Sequence, residues 1–174
     1  MMNDLKKIIE RILRKSLKEL GFTSFLYLED NIHLRLYGPD GKLKDSRDYH
    51  NQVQIDGKWD LMNQLLASPA KAKAAWMEVG TGTGQGTTSG TVLATYITGS
   101  RTACGTTTQA TSPTNTVTYS CTFTATVGTG AITECGLFNV VTQNTADMWL
   151  YSSFSVINKG ANDSLAVTWT LTAT

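Results

Sequence analysis

The 174-residue sequence predicts a mainly β protein whose C-terminal part is an antiparallel β-sandwich or jelly-roll-like domain. Three observations predict it. Threonine supplies 26 of the 100 residues from Ala75 to Thr174, and almost nothing there repeats at the three- and four-residue steps of a helix. From Thr116 to Val127, the apolar set Val117, Tyr119, Cys121, Phe123, Ala125 and Val127 alternates with Thr116, Thr118, Ser120, Thr122, Thr124 and Thr126. A period of two means one buried face and one hydroxyl-lined face. Further strands are expected near Ala75–Val79, Tyr96–Cys104, Ala131–Phe138, Asp147–Val156 and Ser164–Leu171, separated by Gly and Asn at the spacing of a two-sheet domain.

Two smaller parts precede this domain. Leu5, Ile8, Ile9, Ile12, Leu13, Leu17 and Leu20 recur at three- and four-residue steps, so an amphipathic helix is expected from Asn3 to Leu20, ended by Gly21. Lys15 and Ser16 spoil its heptad positions, which argues against a coiled coil. Glu10 and Glu19 dilute its basic charge and no Trp or Phe anchors its apolar side, so protein is the expected partner rather than a membrane surface. Leu5, Ile8, Ile9, Ile12, Leu13 and Leu17 are the candidate interface of this docking arm. Next comes a small hairpin-and-helix unit. Phe25–Leu28 and Ile32–Tyr37 have strand character, Gly38-Pro39-Asp40-Gly41 is a turn, and the strand resumes near Lys42 and runs through Val53. Asp56 is placed to cap a helix from Gly57 to Ala67, with Trp59, Met62, Leu65 and Leu66 on one face and Ser68-Pro69 as its stop. The expected division is 1–21 arm, 22–74 small α+β unit, 75–174 sandwich.

Composition narrows the function. The net charge is +1 and the apolar fraction 41%, adequate for a core and without general attraction to nucleic acid. The arm's basic residues lack aromatic interleaving, so no nucleic-acid partner is expected. Between Ala75 and Thr174 only Glu78, Arg101, Glu134, Asp147, Lys159 and Asp163 are charged. Ordinary domains carry about 25% charged residues, so this half suits an assembly better than free solution. Cys104, Cys121 and Cys135 form no CxxC pair and read as reduced, buried small hydrophobes. The charged start and the lack of a ~20-residue apolar run predict folding in a cytoplasm with no membrane span.

The search for chemistry yields no catalytic, cofactor-binding or metal-binding set. Gly80-Thr81-Gly82-Thr83-Gly84-Gln85-Gly86 satisfies GxGxxG in no register and reads as a loop. The sandwich half has no histidine to serve as a base, and its acids form no motif. His33 and His50, near Asp30, Asp45 and Asp48, read as a solvated hairpin. Glu134, a lone acid between Ile132 and Leu137, is expected to accept backbone hydrogen bonds from a neighbouring loop. It would thereby pin a β-corner that includes Gly136 and Phe138. Trp149, Tyr151 and Trp169 are weighed as a sugar-stacking platform against the alternative that they fill the core.

His50-Asn51-Gln52-Val53, the Gly80–Thr83 run, Gly130-Ala131-Ile132-Thr133-Glu134-Cys135-Gly136-Leu137-Phe138-Asn139, Lys159-Gly160-Ala161-Asn162-Asp163 and Val167–Thr172 occur in that order. From Tyr49 to Thr174 this resembles a widespread group of small tailed-bacteriophage virion proteins, and more loosely the collar domains of phage tail fibres. Thr87 to Asn115 departs from that group's strand pattern, and the 3–20 helix is not a feature of it. The resemblance implies a structural, non-enzymatic virion protein without cofactors, assembled in the host cytoplasm. Its expected role is capsid decoration or cementing, as a trimer or ring that contacts the major capsid protein. The alternative is a neck, collar or tail protein forming a fibre-attachment ring, and a carbohydrate-binding adhesion module stands behind both.

Overall fold

The computed structural model describes residues 28–50, 52–66, 68–84, 90–109, 116–145 and 148–173. The arm expected at 3–20, with Leu5, Ile8, Ile9, Ile12, Leu13 and Leu17, lies outside the described residues. The elements run β1 (Leu28–Tyr37), β2 (Leu43–His50), β3 (Gln52–Val53), α1 (Ile55–Asn63), β4 (Trp76–Gly80), β5 (Thr102–Ala103), β6 (Thr106–Gln109), β7 (Thr116–Phe123), β8 (Gly130–Phe138), β9 (Met148–Lys159) and β10 (Ser164–Ala173). They form two five-stranded antiparallel sheets, ordered β2-β1-β10-β7-β6 and β3-β9-β8-β4-β5.

The two-residue alternation read from β7 and β10 sets the packing. In the first sheet, Ile32, Trp169 and Tyr119 share one cross-strand row, Leu34, Val167 and Cys121 a second, and Leu36, Leu165 and Phe123 a third. All nine side chains are buried. They face Met77, Val79, Ile132, Leu137, Leu150 and Ile157 of the second sheet in one core. Each such large side chain contributes roughly 1.5–3 kcal/mol on burial. On the first sheet's other face, Thr116 pairs with Thr172, Thr118 with Thr170 and Ser120 with Thr168. The Thr116 and Thr172 hydroxyls lie 3.1 Å apart, a cross-strand hydrogen bond of the kind that stiffens a neutral surface.

Three expectations change. The strand expected over Ile32–Tyr37 starts earlier, since β1 is continuous from Leu28 through the polar Glu29-Asp30-Asn31 and β10 pairs with it along its whole length; of the strand expected over Phe25–Leu28, only Leu28 lies among the described residues. Of the strand expected over Tyr96–Cys104, only Thr102–Ala103 is regular, with Tyr96 making an isolated bridge to Gly80. The expected division at residue 74 does not separate two bodies. β1 and β2 complete the sheet that holds β10 and β7, while β3 pairs with β9 in the other.

The Gly38–Gly41 turn closes the β1–β2 hairpin. Gly38 N–H donates to Lys42 O (2.8 Å), Gly41 N–H donates to Gly38 O (2.9 Å), and Gly41 takes φ +75°. That left-handed angle is the one a glycine adopts without steric cost.

Candidate interaction surface

The helix α1 is mounted the opposite way from what its apolar periodicity predicts. Its expected cap, Asp56, lies inside it; the N-cap is Gln54, without a side-chain cap hydrogen bond, and the helix covers Ile55–Asn63 rather than Gly57–Ala67. The residues turned inward are Gly57 and Asp60. A Cβ on Gly57 would stand 2.4 Å from Trp149 O, so only glycine lets the helix rest on the β9 backbone. Asp60 Oδ2 accepts from Trp149 Nε1 at 2.7 Å and from Asn139 Nδ2 at 2.9 Å. Gln54 N–H donates to Trp149 O at 2.9 Å, which fixes where the helix starts. The consequence is that Ile55, Trp59 (74% exposed), Met62, Leu65 (75%) and Leu66 face outward. Positions 55, 59, 62 and 66 fall at helical steps, and the backbone keeps turning after Asn63 through Leu65 N–H to Met62 O and Leu66 N–H to Asn63 O. They make one contiguous apolar ridge, which monomeric proteins rarely leave uncovered unless something binds there. Periodicity found this stripe but not its direction. The readable signal was Gly57 and Asp60, three residues apart on the opposite face.

Glu134 sits at the centre of a rigid corner. It is fully buried, Oε1 accepts from Gly82 N–H (3.0 Å) and Thr95 N–H (2.8 Å), and Oε2 accepts from Ala94 N–H (3.1 Å) and Tyr151 Oη (3.3 Å). The Gly80–Thr83 run has its explanation here, since a Cβ on Gly80 or Gly82 would come within 2.5 or 2.6 Å of Glu134 Oε1. Gly136 serves Phe138 in the same way: a Cβ on it would meet the Phe138 ring at 2.7 Å. Over that ring, 3.6 Å from its centroid, lies the Arg101 guanidinium, which also donates to Glu78 Oε2 and Val140 O at 2.8 Å each. Gln143 Nε2 donates to Glu78 Oε1 and to Ile97 O. The corner's polar groups are thus directed at one another and at backbone.

Charge is distributed unevenly. Of the six charged residues from Ala75 onward, Glu78, Glu134, Lys159 and Asp163 are buried, and the Arg101 side chain is 3% exposed. The sixth, Asp147, lies outside the described residues. Lys159 Nζ donates inward to Thr124 O at 2.9 Å. Asp163 accepts from Lys44 Nζ at 2.8 Å and from Gly160 N–H, and these bonds, Lys44 foremost, hold its carboxyl below the usual range. Among the described residues of this half, every charged side chain is buried and the outer surface is neutral hydroxyl, amide and methyl. Exposed charge gathers instead on the β1–β2 edge, where Asp48 pairs with His33 and Arg35, and Asp45 with Arg47. A charged edge strand of that kind resists pairing with another sheet.

No family model, curated protein or solved structure matches this chain. Function therefore rests on the residues themselves. Trp149, Tyr151 and Trp169 are all buried, with the Trp149 indole bonded to Asp60, so those three rings do not form a sugar-stacking platform. Among the described residues no group of three His, Cys, Asp or Glu side chains is placed to hold a metal ion, and His33 is engaged by Asp48 at 2.6 Å. Among them, too, no helix is long and apolar enough to cross a membrane. The three thiols are free, and burial pushes Cys104 and Cys121 up to about 12 and Cys135 well above its ordinary value. Since the thiolate is the reactive form, a thiol reagent at pH 8 is expected to label the native protein slowly and all three sites fast once urea unfolds it. Rapid native labelling of Cys121 or Cys135 would contradict their burial.

Proposed function

We propose that this chain is a structural protein of a tailed-bacteriophage virion, a capsid decoration or cement protein that acts by protein–protein contact and carries out no reaction. The observation that carries this reading is the outward apolar ridge of α1, bolted to the sandwich through Gly57 and Asp60. Two others support it. The neutral surface of the described residues from Ala75 onward allows many copies to pack side by side without mutual repulsion. The ordered segments from His50 to Thr172 resemble small phage virion proteins. Within this proposal the sandwich is of jelly-roll-like form, the 3–20 segment is a helix, the copies associate as a trimer or ring, and the neighbour is the major capsid protein. A second reading, a neck, collar or tail ring that attaches fibres, is favoured by the Gly130–Asn139 segment with its Glu134 corner. Copy number separates the two: hundreds per particle on a shell, about a dozen or fewer at a neck.

The test is re-decoration of stripped capsids. Trp59→Asp with Leu65→Asp is expected to abolish measurable binding, since a truncated central aromatic anchor alone costs about 2 kcal/mol or more, roughly 30-fold. Binding of the double variant at wild-type affinity, or stripped shells as resistant to heat and low salt as complete ones, would defeat the cement reading.

A further inference from the structure

We infer that before docking the apolar ridge of α1 is covered by residues 3–20 of the same chain. The inference rests on the docking reading for what the cover regulates, while the cover itself is a property of the free protein.

The first argument is where the chain leaves the sandwich. Twenty-seven residues precede Leu28. Three residues into β1, Asn31 pairs with His50, the last residue of β2. From there the chain crosses to β3 at Gln52–Val53 and opens α1 at Ile55. The N-terminal segment therefore departs from the end of the sandwich at which α1 begins. The second argument is reach. Gly21 to Tyr27 provides seven linking residues, about 23 Å when extended at ~3.3 Å each. The nine residues of α1 span only about 14 Å at 1.5 Å each.

The third argument is chemical fit. The stripe Leu5, Ile8, Ile9, Ile12, Leu13, Leu17 is wholly aliphatic, and the ridge offers Trp59 and Met62 between Ile55 and Leu65, so small branched side chains have large ones to seat against. Lys6, Lys7, Arg11, Arg14, Lys15 and Lys18 interleave with the stripe in sequence. A tether this short places the segment near the ridge at an effective concentration on the order of millimolar. Closing the ridge in this way keeps subunits from associating through it, and a docking partner must displace the segment to bind.

The test reads Trp59 in the intact chain. Its acrylamide quenching is obtained as the difference between wild type and Trp59→Phe, which cancels the contributions of half-buried Trp76 and of buried Trp149 and Trp169. Trp59 is expected to be shielded and blue-shifted in monomeric wild-type protein, and open and red-shifted in Ile8→Asp with Ile12→Asp. Trp59 already as open as in urea in the wild-type chain would overturn the inference without any variant. So would shielding that disappears on dilution together with a dimer, which would make a second copy the occupant. On stripped capsids the arm variant should bind about tenfold more tightly if the covered state outnumbers the open one about tenfold. Trp59 shielding together with unimpaired capsid binding by Trp59→Asp would remove the docking reading and leave the cover standing. Open Trp59 together with capsid binding lost in Trp59→Asp would do the reverse.

Discussion

Replacing Glu134 by alanine is expected to destabilise the fold by about 4 kcal/mol, because it removes a fully buried carboxylate that accepts four hydrogen bonds, at ~1 kcal/mol each. The donors are the N–H groups of Gly82, Ala94 and Thr95, with the Tyr151 hydroxyl as a fourth. At ~2–4 °C per kcal/mol for a domain of this size, the melting temperature should fall by about 10 °C or more. Glu134→Gln retains the volume and one acceptor oxygen, which can still serve Gly82 and Thr95, but turns an amide N–H₂ toward the Ala94 N–H. Its expected cost is about half, ~2 kcal/mol. Gly82→Ala should resemble Glu134→Ala, since the new methyl occupies the space of the carboxylate oxygen. Thermal and urea melts of the three variants check the ordering, and Glu134→Ala melting within 2 °C of wild type would mean that the loop at 80–95 is held by something else.

What the sequence made legible follows the reach of each interaction. In β7 and β10 a single buried face imposes the period of two, so Tyr119, Cys121, Phe123, Leu165, Val167 and Trp169 could be assigned inward from their neighbours alone. Local propensity divides β1 at Glu29-Asp30-Asn31, because it disfavours acids in strands. Asp30 is buried beside the Trp169 indole, 3.4 Å away across 139 positions of chain, and no local window contains that partner. Glu134 was readable as a lone acid that needed donors, but the donors come from residues 39 to 52 positions upstream. The scarcity of charge after Ala75 was visible, whereas its internalisation depended on pairs such as Glu78 with Arg101 and Lys44 with Asp163. In α1, apolar periodicity gave the stripe, and the ordinary assumption that a stripe faces the core gave the wrong direction.

That reversal makes Asp60 the position where stability and docking can be taken apart. Asp60→Ala is expected to cost about 3 kcal/mol, since it leaves the Trp149 indole N–H and the Asn139 amide, both buried and both bonded to one carboxylate, without that acceptor. The loss should be local. The sandwich core does not include Asp60, so hydrogen exchange is expected to accelerate over residues 54–66 while β7, β8 and β10 keep their protection. Gly57→Ala should release the same segment by steric means, with its Cβ directed at the Trp149 carbonyl. Trp59→Asp removes a side chain that the sandwich does not bury and should shift the sandwich's stability by no more than about 0.5 kcal/mol. All three variants are expected to lose capsid binding, the first two because the ridge is no longer held and the third because its central anchor is gone. An Asp60→Ala protein whose 54–66 amides exchange freely while it still docks at wild-type affinity would show that the contact runs through another surface. The neutral hydroxyl face of β7 and β10 would then be the next place to mutate.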